Sequence, residues 1–305
     1  MSRTVSAAFN ALLSDLQLTP RQRELAQGRI MHLRRFFAAY ALSREPWAIG
    51  SYGRGTVIRR ERDVDVMVVL AAKPYVDRFR RDSRAFLYWL RDALNVEYAN
   101  TRVSTRKVAL CMDLGDGLGV DLVPAFDVIE VKGLSWLTRR PLATPGEMGF
   151  YIPNGNGGWQ ITNPAHHDAL MQAADVRLAS KLKPLVRLMK LWNRGEHDRL
   201  RSFHLEMMVE RAWRKTTQMP PLPVAMRHTL EAVAGLTNHE FSDPWPQGGR
   251  LDQYIDGETR RKAVKALRDD AQRATDALAY ENSGNQRAAF DRWSVVFGRD
   301  FTGYG

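Results

Sequence analysis

The sequence predicts an α+β fold, with a mixed sheet and flanking helices in its first half and a helical lobe in its second. Three observations predict it. Apolar runs bounded by turn residues, Val64 to Leu70, Val108 to Asp113 and Gly119 to Phe126, are confined to the first half. From Asp168 onward the apolar residues recur at helical spacing instead. Between the two lies 133–166, rich in Pro, Gly and Asn without clear periodicity, which reads as a hinge or connecting segment. The expected division is therefore a core lobe over 1–165, including N-terminal helices, and a helical lobe over 166–305 that closes a cleft.

Each element has its own signal. Residues near 5–17 and 20–41 read as helices. The second opens with Thr19 as N-cap and Pro20 in the first turn, and Ile30, Leu33, Phe36, Phe37 and Tyr40 follow at helical spacing. Gly50 to Gly55 is a turn. Val64 to Leu70 is a mostly buried strand with a charged entry. Asp77 to Leu94 is helical, and Val108 to Asp113 with Gly119 to Phe126 form a hairpin around Gly115-Asp116-Gly117-Leu118. A long helix spans Ala169 to Trp192, with further helices near 202–215, 222–236, 258–280 and 284–297. No internal repeat is visible.

Composition narrows the class. The chain has 305 residues, 44% hydrophobic and 26% charged, enough apolar content for a sizeable core. The first residues lack the apolar run of a signal peptide, and no run approaches the roughly 18 apolar residues of a membrane span. The single cysteine, Cys111, excludes an internal disulfide and a multi-cysteine zinc site. A cytoplasmic protein with no membrane partner is expected. The net charge of +11 favours anionic partners: nucleoside triphosphates, a nucleic acid or an anionic surface. The basic residues are scattered, however, which suits a solvated surface as well as a polynucleotide groove.

The chemistry concentrates on Asp63, Asp65 and Asp121. Residues two apart on a strand share a face, so Asp63 and Asp65 project together while Val64 and Val66 pack behind them. Asp121 enters a second apolar strand. If the two strands are neighbours, three carboxylates converge, and such a cluster is costly unless cations neutralise it. That arrangement suits two divalent ions roughly 3.5–4 Å apart. Magnesium is expected, with manganese as the alternative, because both accept oxygen ligands. Asp63 and Asp65 would bridge the ions, and Asp121 would bind one and accept a hydroxyl proton. Upstream, Gly50-Ser51 offers backbone N–H groups and a hydroxyl to phosphate. An Asp-X-Asp pair alone is common at solvated strand ends, and Gly-Ser alone carries less. Their order here, with a third aspartate in another apolar strand, points to nucleotidyl transfer. Asp113 and Asp116 are better explained as strand-end and turn residues.

These residues resemble the DNA polymerase β-like nucleotidyltransferase superfamily, and more narrowly the cGAS/DncV-like nucleotidyltransferases (CD-NTases) of bacterial anti-phage defence. Gly50-Ser51 through Thr56-Val57-Ile58-Arg59 is similar to that family's Gly-Ser loop, and Asp63, Asp65 and Asp121 match its metal-binding triad. Tyr151 to Asn154, Trp159 and Thr162-Asn163-Pro164 resemble the entry to its helical lobe. Leu182 to Asn193 resembles its central helix, and Ser202-Phe203-His204-Leu205-Glu206 the stretch that follows. The resemblance implies a polymerase β-like core plus a C-terminal helical lobe, with Gly50, Ser51, Lys190 and Ser202 at the donor triphosphate. Phe203 would stack on a base, keeping the π-face of the family's frequent tyrosine and losing its hydroxyl. Trp192, His204 and Glu206 read as structural, locking the two helices together, while Tyr52, Arg54 and Arg187 lie where they can approach nucleotide. No Cys/His zinc insertion is present, so activation by double-stranded DNA through such an element is not implied.

The implied reaction joins nucleoside triphosphates into a cyclic di- or trinucleotide second messenger in CBASS-type signalling. A downstream effector would be reached through the product, and a nucleic acid or protein would act as activator. Two alternatives suit the same residues: a templateless nucleotidyltransferase acting on RNA or tRNA, as tailing enzyme or toxin, and a catalytically dead nucleic-acid-binding module.

Overall fold

The computed structural model describes residues 4–115, 117–128, 130–131, 149–194 and 199–301. Asp116 and the part of the expected hinge over 133–148 lie outside the described residues.

Two helices open the chain, α1 (Val5–Leu16) and α2 (Pro20–Phe37). The Thr19 hydroxyl accepts from Gln22 N–H while the Gln22 side chain accepts from Thr19 N–H, and Pro20 follows at the first helical position. Two orphan donors are thereby satisfied where the helix starts. This helix stops at Phe37, short of the expected residue 41: a turn follows, in which Tyr40 N–H donates to the Phe37 carbonyl, and a strand without a sequence signal starts at Leu42. That strand, β1 (Leu42–Ala48), carries Arg44, Glu45 and Pro46, and its register against its neighbour shifts on both sides of Arg44. It is an edge strand, where charge, proline and irregular pairing are tolerated.

After the short helix α3 (Gly50–Arg54) comes β2 (Asp63–Leu70), then α4 (Ala72–Phe79) and α5 (Ser83–Glu97). The helix expected over 77–94 is thus two helices. Asp82 accepts from Arg84 and Ala85 N–H, which starts α5 anew. The remaining strands are β3 (Arg102–Thr105), β4 (Leu110–Asp113), β5 (Gly119–Asp127), β6 (Phe150–Pro153) and β7 (Trp159–Thr162). Among the described residues seven strands form one mixed sheet of order β1-β2-β5-β4-β3, with β6 pairing β5 and β7 pairing β6.

The expected hairpin is present as β4 and β5, antiparallel, with Asp113 accepting from Gly115 N–H at its turn. Strand β5 also runs parallel to β2 from Gly119 to Phe126. Pro124 lies between the β4 pairing, which ends at Leu122, and the β6 pairing, which begins at Phe126, so its missing N–H costs no ladder bond there.

Strand alternation divides the two faces. Val64, Val66, Val68 and Leu70 with Val120, Leu122 and Phe126 pack in a core shared with α2 and α5. Met67, Val69, Val123 and Ala125 form a smaller cluster on the other face with Ile49 and Phe150. Further along that second face, toward the strand starts, stand Asp63, Asp65 and Asp121.

The second half is helical: α6 (Pro164–Arg177), α7 (Leu182–Trp192), α8 (Ser202–Trp213), α9 (Leu222–Thr237), α10 (Gly257–Asn282) and α11 (Gln286–Phe297). The single helix expected over 169–192 breaks between α6 and α7, where Ala179 and Ser180 take left-handed φ values of 53° and 60°. Asp175 stabilises the break by accepting from Lys183 N–H through its carboxylate and from Ser180 N–H through its carbonyl. The core of this half includes Val5, Phe9, Leu12 and Leu16, so α1 packs with the C-terminal helices rather than with the sheet. Among the described residues no helix is long and apolar enough to cross a membrane.

Candidate active site

The parallel pairing of β2 with β5 sets Asp65 directly beside Asp121 and Asp63 beside Gly119. The condition stated from sequence, that the two aspartate-bearing strands be neighbours, is therefore met. Two glycines make room for the acids. A Cβ on Gly119 would lie 2.6 Å from Asp63 Oδ1 and 2.9 Å from the Met112 carbonyl. A Cβ on Gly50 would lie 2.0 Å from Asp65 Oδ2, and Gly50 also holds a φ of +65° that favours glycine. Gly50 thus has a packing role besides the phosphate role its motif suggested.

Crowding and burial perturb the carboxylates. Burial, with Asp121 as the next cause, pushes the Asp65 pKa up to about 7. Burial also raises Asp121, although Arg106 opposes the shift. The Arg106 guanidinium donates to Asp121 Oδ2 at 2.8 Å, while Asp121 Oδ1 is buried without a hydrogen-bond partner. Cys111 stands opposite Asp121 on β4, and ligand atoms of Asp63, Cys111 and Asp121 lie within 4.8 Å of one another. That set could hold a metal ion, and it differs from the expected triad by containing Cys111 in place of Asp65. An orphaned buried oxygen on Asp121 and a neighbouring carboxylate pushed toward neutrality are what an oxygen-preferring divalent ion would satisfy. The residues fit such an ion.

Two adjoining cavities flank this patch. One, of about 460 Å³, has Ser51, Asp63, Asp65, Asp121, Lys190 and Ser202 in its lining. The other, of about 320 Å³, is bounded by Gly50, Arg54, His167 and Phe203, and shares Ser51, Glu61, Asp65 and Ser202 with the first. Every site residue anticipated from sequence therefore lines one cavity or both. Ser202 opens α8 and is exposed. Phe203 is half-buried, with the Arg54 guanidinium 5.1 Å from its ring centroid and the His167 ring packed edge-on at 4.8 Å. His167 in turn meets Asp243 Oδ1 at 2.7 Å.

Lys190 is buried in an ionic network that joins α7 and α8 to the Gly-Ser segment. Its Nζ lies 2.7 Å from Glu61 Oε1 and 3.3 Å from Glu206 Oε1, and donates to the Thr56 carbonyl at 3.2 Å. Glu206, fully buried, also accepts from Arg54 Nε at 2.8 Å and from the Thr56 hydroxyl at 2.7 Å. Burial alone would raise the Glu206 pKa, but Arg54 and Lys190 bring it below the ordinary range. Glu206 links α8 to α7 through Lys190 and, beyond what the sequence suggested, also holds Arg54 and Thr56 of the Gly-Ser segment. Trp192 reaches Asp270 on α10, and His204 meets the Tyr254 hydroxyl. Arg187 donates to the Gly55 carbonyl at 2.7 Å.

Sequence reasoning missed Glu61, Arg106 and Cys111. Only Cys111 had a usable signal: a hairpin closing across Gly115 to Gly117 pairs residue 111 with 121.

This mixed α+β core with a C-terminal helical region matches the fold of solved polymerase β-like nucleotidyltransferases. Residues 3–135 match the family described as Second Messenger Oligonucleotide or Dinucleotide Synthetase domain. The chain is 22% identical over 279 residues to a probable cyclic nucleotide synthase of Bacillus cereus (strain VD146), covering 83% of this chain and 80% of the relative. It is 24% identical over 281 residues to the cyclic AMP-AMP-AMP synthase of Escherichia coli (strain MS 115-1), covering 83% and 82%. In fold it is similar to E. coli MS115-1 CdnC solved with ATP, with a TM-score of 0.76 at 16% identity over 97% of this chain and 98% of that one. CdnC in a complex with HORMA-deltaN gives a TM-score of 0.75 at 18% identity and the same coverage.

Proposed function

We propose that this protein is a metal-dependent nucleotidyltransferase that joins nucleoside triphosphates into a cyclic di- or trinucleotide second messenger, in CBASS-type anti-phage signalling. The observation that carries the reading is the side-by-side pairing of Asp65 with Asp121, at a cleft also lined by Ser51, Lys190 and Ser202. Asp63, Asp65 and Asp121 would hold magnesium or manganese, which supplies charge neutralisation for the triphosphate and lowers the pKa of the attacking hydroxyl.

The chain's own groups do the rest. Ser51 and Ser202 donate to phosphate oxygens, and Lys190 supplies a point charge. The 2′ or 3′ hydroxyl of one nucleotide attacks the α-phosphorus of another. A phosphodiester bond forms, the bond to pyrophosphate breaks, and Asp121 takes the hydroxyl proton. A linear product then turns in the cleft and is closed by the same chemistry. Residues 1–165 form the lobe that holds the acids and 166–305 the lobe that closes the cleft, with α1 tying the first segment to the second lobe. By likeness to CdnC, seen with HORMA-deltaN, a protein activator is as much part of this reading as a nucleic acid. The product acts on a separate effector, in the cytoplasm.

The test is incubation with α-labelled pairs of the four nucleotides and magnesium or manganese, followed by phosphatase and chromatography. A small phosphatase-resistant product is expected. Lengthening of added tRNA without such a product favours the RNA-tailing alternative, and absence of pyrophosphate release contradicts both.

A further inference from the structure

Glu61 stands between the segment carrying Ser51 and the strand carrying Asp63, and it lines both cavities of the cleft. Its carboxylate accepts from the Ser51 hydroxyl at 3.0 Å and from Ile58 N–H at 3.1 Å, both through Oε2. Its other oxygen meets Lys190 Nζ at 2.7 Å. A hydroxyl, a backbone amide and an ammonium thus converge on one carboxylate. The same kinds of donor in the same concavity are what a phosphate group requires.

The rest of the network shows which side Glu61 covers. Lys190 is also held by Glu206 and by the Thr56 carbonyl, and Glu206 is fully buried. Glu61 itself is 18% exposed at its side chain, so it approaches Lys190 from the cleft. The Ile58 side chain is buried in the helical core and anchors the segment, while the Glu61 carboxylate reaches its partners through rotatable bonds.

We propose that Glu61 is a built-in occupant of the triphosphate seat, a positioning residue that keeps Ser51, Ile58 N–H and Lys190 aligned and that the entering triphosphate displaces. The inference rests on the nucleotide reading of the same cleft. An anion already in the seat competes with the incoming one, so Glu61 lowers nucleotide affinity while preserving the donors' arrangement. Displacement also leaves Lys190 with its two inner partners, so the ammonium stays in place for phosphate.

The test is calorimetric titration of the wild-type protein and Glu61→Gln with inorganic tripolyphosphate and magnesium, a probe independent of base. Glu61→Gln is expected to bind at least fivefold more tightly than wild type. Equal or weaker binding by Glu61→Gln, with wild type binding normally, overturns the proposal and leaves the enzymatic reading intact. Binding of neither tripolyphosphate nor any nucleotide by wild type overturns both. A crystal structure of wild type soaked with tripolyphosphate and magnesium gives an answer that needs no variant. Phosphate oxygens are expected on Ser51 and Lys190 with the Glu61 carboxylate swung away. Glu61 still paired with Lys190 beside a bound triphosphate overturns the proposal.

Discussion

Asp65 is a carboxylate held where its charge is least welcome, half-buried and directly beside Asp121. Its folded-state pKa of about 7 lies above the ordinary value near 3.8. The folded protein therefore binds more protons than the unfolded chain between those values, and stability falls as pH rises through that window. Asp65→Asn is expected to raise the melting temperature in EDTA at pH 8 and to leave it nearly unchanged at pH 4, as thermal denaturation at the two pH values would show. Manganese affinity of the wild type is expected to rise across pH 6 to 8 as Asp65 ionises, measured by electron paramagnetic resonance. Gly119→Ala addresses the same patch sterically. Its Cβ would press on Asp63 Oδ1 and the Met112 carbonyl, so a loss of about 1–3 kcal/mol and weakened manganese binding are expected in urea and metal titrations. Cys111 provides a reporter: manganese is expected to slow its alkylation, because its thiol neighbours Asp63 and Asp121. An unchanged alkylation rate would place the metal elsewhere.

At the scale of elements, the ionic network around Glu206 ties α7 and α8 to the segment that carries Ser51. Glu206→Gln leaves Arg54 and Lys190 buried with their shared anion gone, and breaking such a pair typically costs about 3–5 kcal/mol. Chemical denaturation should register that loss, and a change below about 1 kcal/mol would mean the network is dispensable. The elements also show what local sequence could and could not say. Strands β2 and β5 and their hairpin partner β4 were legible because apolar runs and a glycine turn carry their own signal. Strand β1 was not, since an edge strand tolerates Pro46 and charges that argue against a strand in isolation. The α6–α7 break hides because left-handed Ala179 and Ser180 replace the glycine that usually marks it, leaving only Pro184, in the first turn of α7, as a sign of a new start.

On the scale of the whole molecule, Asp63, Asp65 and Asp121 come from the sheet and Lys190 and Ser202 from the helices, and the cleft they line lies where the two halves meet. That division explains the limits of the sequence reading. Asp63, Asp65 and Asp121 could be grouped from strand alternation, and Lys190, Ser202 and Phe203 from a family resemblance. Glu61 and Arg106 depend on how a loop and a hairpin turn fall across that cleft, which no local spacing encodes. The same division implies that nucleotide should draw the halves together, so a saturating non-hydrolysable triphosphate is expected to reduce the radius of gyration in X-ray scattering. Whether the three aspartates hold metal beside a nucleotide is decided by anomalous diffraction from crystals grown with manganese and such an analogue. Two peaks roughly 3.5–4 Å apart are expected among Asp63, Asp65 and Asp121, touching the triphosphate. A bound triphosphate with no anomalous peak at those aspartates would contradict the metal-dependent reading.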